Sequence, residues 1–234
     1  MTRRLPLPPR LPRDMSPSRP SARVKICGLK TPETVKAAID AGADYLGFNF
    51  YPRSPRYVSL DVARALATLV PPSVLKVSLT VDDDNATIDA IVAALKPDIL
   101  QLHGHETPAR LLDLKGRYGL TLMKAIPISG PEDLAQIALY HDSADLLLFD
   151  AKPPKSMENA LPGGNGLSFD WSLLAGQKPD TPWMLSGGLD PANVANAIRV
   201  TGTEAVDVSS GVETAAGVKD VTLIEKFIAA AKSA

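Results

Sequence analysis

A single cysteine occurs in 234 residues, Cys27, at the end of the apolar run RVKIC and directly before Gly28. Such a thiol is either a small hydrophobe in a core or, as its thiolate, a reagent. Which one depends on its neighbours. Asp150 closes a second apolar run, LLLFD, where a carboxylate costs free energy unless it is solvated, hydrogen-bonded or used. Lys152, two residues on, offers it a salt bridge as a bland explanation. Two further stretches, SGGLDPANV and SSGVE, free the backbone at Gly187 and Gly188 and again at Ser209, Ser210 and Gly211. Bare amides backed by a helix amino terminus suit a phosphate dianion, although glycines also simply make tight turns. In YPRSPRYVS, Arg53 and Arg56 lie between prolines that stiffen the segment, so one guanidinium could be aimed in advance at an anion. His103, in QLHGHE, is a further candidate donor, with a hydrogen-bonded structural imidazole as its alternative.

These residues need a scaffold that brings them together. From residue 23 a short run rich in leucine or β-branched residues, a polar turn and about ten residues of helical period recur. Strands are expected at 23–27, 45–50, 75–81, 99–103, 121–126, 145–150, 183–186 and 205–209. Helices are expected near 31–42, 61–69, 84–95, 107–118, 131–140, 169–176, 191–200 and 219–233. Thr31-Pro32, Thr107-Pro108 and Asp190-Pro191 read as a capping residue before proline. Strict alternation calls for a parallel sheet covered on both faces. Eight units in about 210 residues favour a closed (β/α)8 TIM barrel, an α/β single domain, over an open doubly wound sheet. In either, chemistry gathers at the carboxyl ends of the strands. In an eight-membered ring strands 1 and 6 are three steps apart, so Cys27 and Asp150 are expected to face each other across the mouth. The glycine loops of strands 7 and 8 fall between them. Residues 151–168 are too long for a simple connection and carry Gly163, Gly164 and Gly166, which reads as a lid. Asp82, Asp83 and Asp84 look like a solvated turn with a helix cap, and Asp207 like a group that satisfies polar atoms inside the barrel.

Composition narrows the partners. With 45% hydrophobic residues, 22% charged and a net charge of -1, there is neither a basic field for nucleic acid nor a polybasic anchor for a membrane. A small molecule is expected instead. One cysteine forms no internal disulfide, which points to a reducing compartment, the cytoplasm. No apolar run reaches the length of a membrane span. Residues 1–22 hold six of the 21 prolines and five arginines, and we expect them to form a flexible tail ahead of a barrel spanning 23–234. They lack the apolar middle of a secretory signal.

The motifs KICG, GFNFYPRSPRYVS, QLHGHE, FDAK, GGNGLSFDW, LSGGLDPANV and AVDVSSGVE, in this order, resemble the phosphoribosylanthranilate isomerase family of tryptophan biosynthesis. The resemblance runs from about residue 23 to the end. It implies an Amadori rearrangement of N-(5-phosphoribosyl)anthranilate to 1-(2-carboxyphenylamino)-1-deoxyribulose 5-phosphate, the third step from chorismate, with no metal or organic cofactor. Matched motif to motif, it implies Cys27 as general base, Asp150 as general acid and Arg56 as the partner of the anthranilate carboxylate. His103 would be a substrate-binding donor, and Gly187, Gly188, Ser210 and Gly211 would hold the phosphate. A thiol titrates near about 8.5, so nearby positive charge or amide dipoles are expected to depress Cys27 enough to leave thiolate at neutral pH. The protein is expected to be a monomer or homodimer. Other readings are a sugar-phosphate epimerase, a sister isomerase acting on a carboxamide ribotide, which would pair two carboxylates, or a catalytically silent barrel.

Overall fold

Strand β1 (Arg23–Cys27) pairs in parallel with β2 (Tyr45–Asn49), and pairing continues through β3 (Leu75–Thr80), β4 (Ile99–Leu102), β5 (Thr121–Ile128), β6 (Leu146–Ala151), β7 (Trp183–Leu185) and β8 (Ala205–Val208). The ring closes where β8 returns to β1, with Lys25 opposite Asp207. This computed structural model describes residues 21–154, 156, 161, 163–177 and 179–234. The expected tail therefore lies outside the described residues except for Ser21 and Ala22, and Ala22 is buried in the core. Among the described residues no helix is long and apolar enough to cross a membrane.

Among the described residues, seven α-helices surround the ring: α1 (Pro32–Asp40), α2 (Leu60–Ala67), α3 (Asn85–Leu95), α4 (Pro108–Tyr118), α5 (Ala135–Tyr140), α6 (Val194–Thr201) and α7 (Val221–Lys232). Thr31 and Thr107 cap α1 and α4 through bonds from the amides of Thr34 and Arg110, both ahead of the expected prolines. Asp84 caps α3 in the same way. The apolar faces of these helices pack on the outside of the sheet around Leu46, Phe48, Leu100, Leu147 and Phe149.

Three differences from the sequence pattern have local causes. The helix expected at 169–176 is one 3-10 turn, Trp171–Leu174, because Asp170 caps its start and Ala175 turns extended just before Gly176 at φ +77°. Helix α6 begins at Val194 rather than 191, since the Asp190 carboxylate bonds the amides of Ala192 and Asn193 and forms a turn first. A hairpin was not anticipated: β9 (Glu213–Ala215) and β10 (Val218–Lys219) pair antiparallel between β8 and α7.

Alternation along each strand decides what fills the barrel. Val77, Ile99, Met123, Leu148 and Met184 form an apolar cluster separate from the outer core. Two residues further along the same faces stand Gln101, Asp150 and Ser186, and with Cys27 and Asp207 they line one cavity. The lumen is thus apolar at its floor and polar at the carboxyl ends.

Candidate active site

Cys27 is the last residue of β1 and is 4% exposed. Its wall of the cavity is made possible by two glycines. Gly28 adopts φ +81°, and a Cβ there would stand 2.7 Å from Arg56 Cδ, so the arginine stem crosses the strand end only because the side chain is absent. Gly47, the neighbour of Cys27 on β2, leaves equal room: a Cβ would lie 3.0 Å from Cys27 Sγ and 3.2 Å from Lys25 Nζ. The electrostatics differ from expectation. Burial pushes the Cys27 thiol up, and although Lys25 and Lys219 pull it down, Asp207 adds to the rise and the net direction is upward. The positive charge is present, but loss of hydration outweighs it.

Asp150, on β6, is buried at the opposite side of the same cavity. Its Oδ1 accepts from the amide of Ala151 at 2.9 Å, and its Oδ2 lies 3.4 Å from His103 Nε2. Gln101 Nε2 is 2.9 Å from His103 Nδ1, a contact that holds the ring with Nε2 turned toward Asp150. Lys152 does not explain the carboxylate, because it pairs with Asp133 at 2.6 Å.

Arg56 is buried, whereas Arg53 is exposed. Its Nε and Nη2 form a fork on Glu213, at 2.8 and 2.9 Å, and Nη2 also donates to the Gly164 carbonyl at 3.0 Å. Glu213 is held in turn by Lys219 Nζ and by the amide of Gly217. Burial pushes the Glu213 carboxyl up, but hydrogen bonding from Arg56 and the charge of Lys219 outweigh it and hold it below the ordinary carboxylate range. Burial pulls Lys219 down, and Glu213 restores only part. Nη1 of Arg56 makes no hydrogen bond among the described residues.

Gly187, at φ +87°, and Gly188, at φ +68°, line the cavity together with Ser210. Gly211 does not line it. A Cβ on Gly211 would meet the Leu189 carbonyl oxygen at 1.9 Å, so this glycine lets the loops after β7 and β8 touch backbone to backbone. Helix α6 begins several residues beyond the glycine pair, which leaves the loop amides nearer the cavity than the helix terminus.

Of the segment 151–168, Lys155, 157–160 and Pro162 lie outside the described residues. Of the remainder, Leu161 and residues 163–167 line the cavity. A Cβ on Gly163 would fall 2.5 Å from Asp150 Oδ2 and 2.6 Å from His103 Nε2, and one on Gly164 would fall 2.6 Å from Arg56 Nη1. Asn165 braces the turn through two bonds with the Leu161 backbone.

Sequence reasoning located Cys27, Arg56, His103, Asp150 and three of the four loop residues on one cavity. It missed Lys25, Gln101, Glu213 and Lys219. Lys25 and Gln101 carry a usable signal, since each is two residues before a chosen residue on the same strand face; Glu213 and Lys219 carry none short of the hairpin itself.

Residues 24–230 match the family model described as N-(5'phosphoribosyl)anthranilate (PRA) isomerase. The N-(5'-phosphoribosyl)anthranilate isomerase of Parvibaculum lavamentivorans is 66% identical over 214 residues, covering 92% of this chain and 100% of that one. Among solved structures, monomers of the dimeric phosphoribosylanthranilate isomerase of Thermotoga maritima superpose with a TM-score of 0.78 at 35% identity, covering 91% of this chain and 100% of the other. A phosphoribosyl anthranilate isomerase in complex with reduced 1-(o-carboxyphenylamino)-1-deoxyribulose 5-phosphate gives 0.79 at 34% identity, with 91% and 100% covered.

Proposed function

The chain belongs to the N-(5'-phosphoribosyl)anthranilate isomerase family, and from that premise we propose that Cys27 is its general base and Asp150 its general acid. As a member it isomerises N-(5-phosphoribosyl)anthranilate to 1-(2-carboxyphenylamino)-1-deoxyribulose 5-phosphate in tryptophan biosynthesis. Protonation of the ring oxygen by Asp150 breaks the C1–O bond as the nitrogen lone pair forms the C1=N iminium. The Cys27 thiolate then takes the proton from C2, and the electrons of that C–H bond become the C1=C2 bond of an enamine. Its enol tautomerises to the C2 ketone as C1 gains a proton.

The observation that carries the reading is that Cys27 and Asp150, from strands three steps apart, line one cavity with both anion-binding groups. The phosphate sits on the amides around Gly187, Gly188 and Ser210, with Gly211 letting the two loops approach. The anthranilate carboxylate takes the free Nη1 edge of Arg56, whose other edge Glu213 already holds. His103, hydrogen-bonded through Gln101, orients Asp150. Two anionic anchors position the reacting carbons with binding energy from remote groups. As drawn, the cavity holds about 50 Å³ of free space, room for only a few waters at roughly 10–15 Å³ each. The roof formed by residues 161 and 163–167 therefore withdraws to admit substrate and returns over Asp150 and Arg56, acting as a lid. The protein works in the cytoplasm, as a monomer or a homodimer.

The test is loss of substrate fluorescence with freshly made phosphoribosylanthranilate. Wild type turns over; Cys27→Ala and Asp150→Asn each lose about 10²–10⁴-fold in kcat while still binding product. Turnover within tenfold of wild type in either variant removes that residue from the chemistry, and an inactive wild type defeats the assignment.

A further inference from the structure

Lys25 lies wholly inside the barrel, at 0% exposure. A buried ammonium persists only with a partner, and it has one: Asp207 Oδ1 at 2.8 Å, while Ser186 Oγ donates to Oδ2 at 3.1 Å. Burial pulls Lys25 down, but Asp207 and Cys27 more than restore it, so the ammonium stays charged. Holding a barrel together does not require such a pair, since apolar residues of similar size do so equally well or better. Its location is the informative part. Lys25 precedes Cys27 by two residues, so both side chains leave the same face of β1. The missing side chain of Gly47 is the point on which Sγ and Nζ converge, at 3.0 and 3.2 Å.

We propose that Lys25 is the positioning residue of the base: held by Asp207, its ammonium orients the Cys27 sulfur and offsets the charge of the thiolate that takes the substrate proton. The inference rests on Cys27 being the base. Besides burial, three charged groups around the sulfur set its ionisation: Lys25 on its own strand, Asp207 from β8 and Lys219 from β10, the last paired with Glu213. Arg56, His103 and Asp150 face it from the remaining walls. Lys25 and Lys219 favour the thiolate and Asp207 opposes it, with Lys25 the stronger of the bridged pair. The two ends of one salt bridge therefore act on the sulfur with opposite sign, whereas a purely structural bridge would be lost equally from either end.

Because Cys27 is the only cysteine in the sequence, its titration is readable without substrate, from the ultraviolet absorbance of the thiolate with Cys27→Ala as blank, and from the pH profile of iodoacetamide alkylation. In Lys25→Met the midpoint moves to higher pH by about one to two, and in Asp207→Asn it falls. The double variant, which removes both buried charges, keeps the fold and titrates above wild type but below Lys25→Met. Activity needs the thiolate together with a protonated Asp150. Each rise of one pH unit in the midpoint thus lowers kcat of Lys25→Met about tenfold at neutral pH, with KM little changed. Midpoints that stay put, or that move the same way in both single variants, overturn the proposal. If either single variant fails to fold, a double variant titrating at or below wild type does so. Wild type without turnover would defeat the isomerase assignment separately, leaving the titration still informative.

Discussion

At the floor of the site, room matters as much as charge. Gly47 has an ordinary backbone conformation, so nothing about its dihedrals demands glycine; the demand comes from the Cys27 sulfur and backbone and the Lys25 ammonium crowding the space of a Cβ. Gly47→Ala is therefore expected to lose about 1–3 kcal/mol of stability and to lower kcat, because the sulfur must move. Gly116 supplies the contrast. It lies exposed in α4 with nothing within 4 Å of its Cβ position, so Gly116→Ala should gain about 0.5–1 kcal/mol with kcat unchanged. Denaturant midpoints and turnover of the two variants check both signs; equal losses would mean that helix and strand glycines are not distinguished by local space. The two candidates for the chemistry were legible because Cys27 and Asp150 end apolar runs. Lys25 was not, because an apolar run with one lysine reads as a strand edge unless its parity with Cys27 is counted. The direction in which the thiol titration moves also escaped the sequence, since it depends on how fully burial at the end of β1 strips the sulfur of water.

The element that does most beyond the repeating unit is the β9–β10 hairpin. It delivers Glu213 and Lys219 to Arg56, and all three side chains are at most 5% exposed. A forked guanidinium–carboxylate contact fixes both the plane and the reach of Arg56. Glu213→Gln leaves two buried cations without their counter-charge, and its expected cost is on the order of 3 kcal/mol. Function should respond in a specific way: KM rises more than kcat falls, because the proposed anchor for the substrate carboxylate loosens while Cys27 and Asp150 stay in place. Steady-state kinetics decide it, and a pure kcat effect would mean that the hairpin acts on chemistry rather than on binding. Strand and helix positions were readable from period and caps, as Thr31 and Thr107 illustrate. A hairpin of three and two residues, ETA and VK around Gly217, offers too few positions for any period to emerge. The sixth helix failed for the converse reason, a plausible pattern cut to one turn by its own terminating backbone.

For the molecule as a whole, closing the sheet into a ring turns eight local patterns into one cavity, and the rule that chemistry gathers at the carboxyl ends picked out residues that line it without any long-range information. What the pattern leaves out is that the ring is uneven. Between β5 and β6 six residue pairs are in register, whereas β7 is three residues long and meets β8 at the single pair Leu185–Val206. The covering element before β7 is only the 3-10 turn Trp171–Leu174. This thin sector carries both loops proposed to hold phosphate. Local opening follows the least supported backbone, so amides of β7 should exchange with deuterium faster than those of β3 to β5 in the unliganded protein. A ligand that binds only the closed arrangement protects whatever it bridges. Adding the reaction product should slow exchange at Trp183–Leu189 and around Ser209 and Ser210, leaving β3 and β4 unchanged. Protection that is uniform around the ring, or confined to the Arg56 side, would place the phosphate elsewhere and remove these two loops from the binding site.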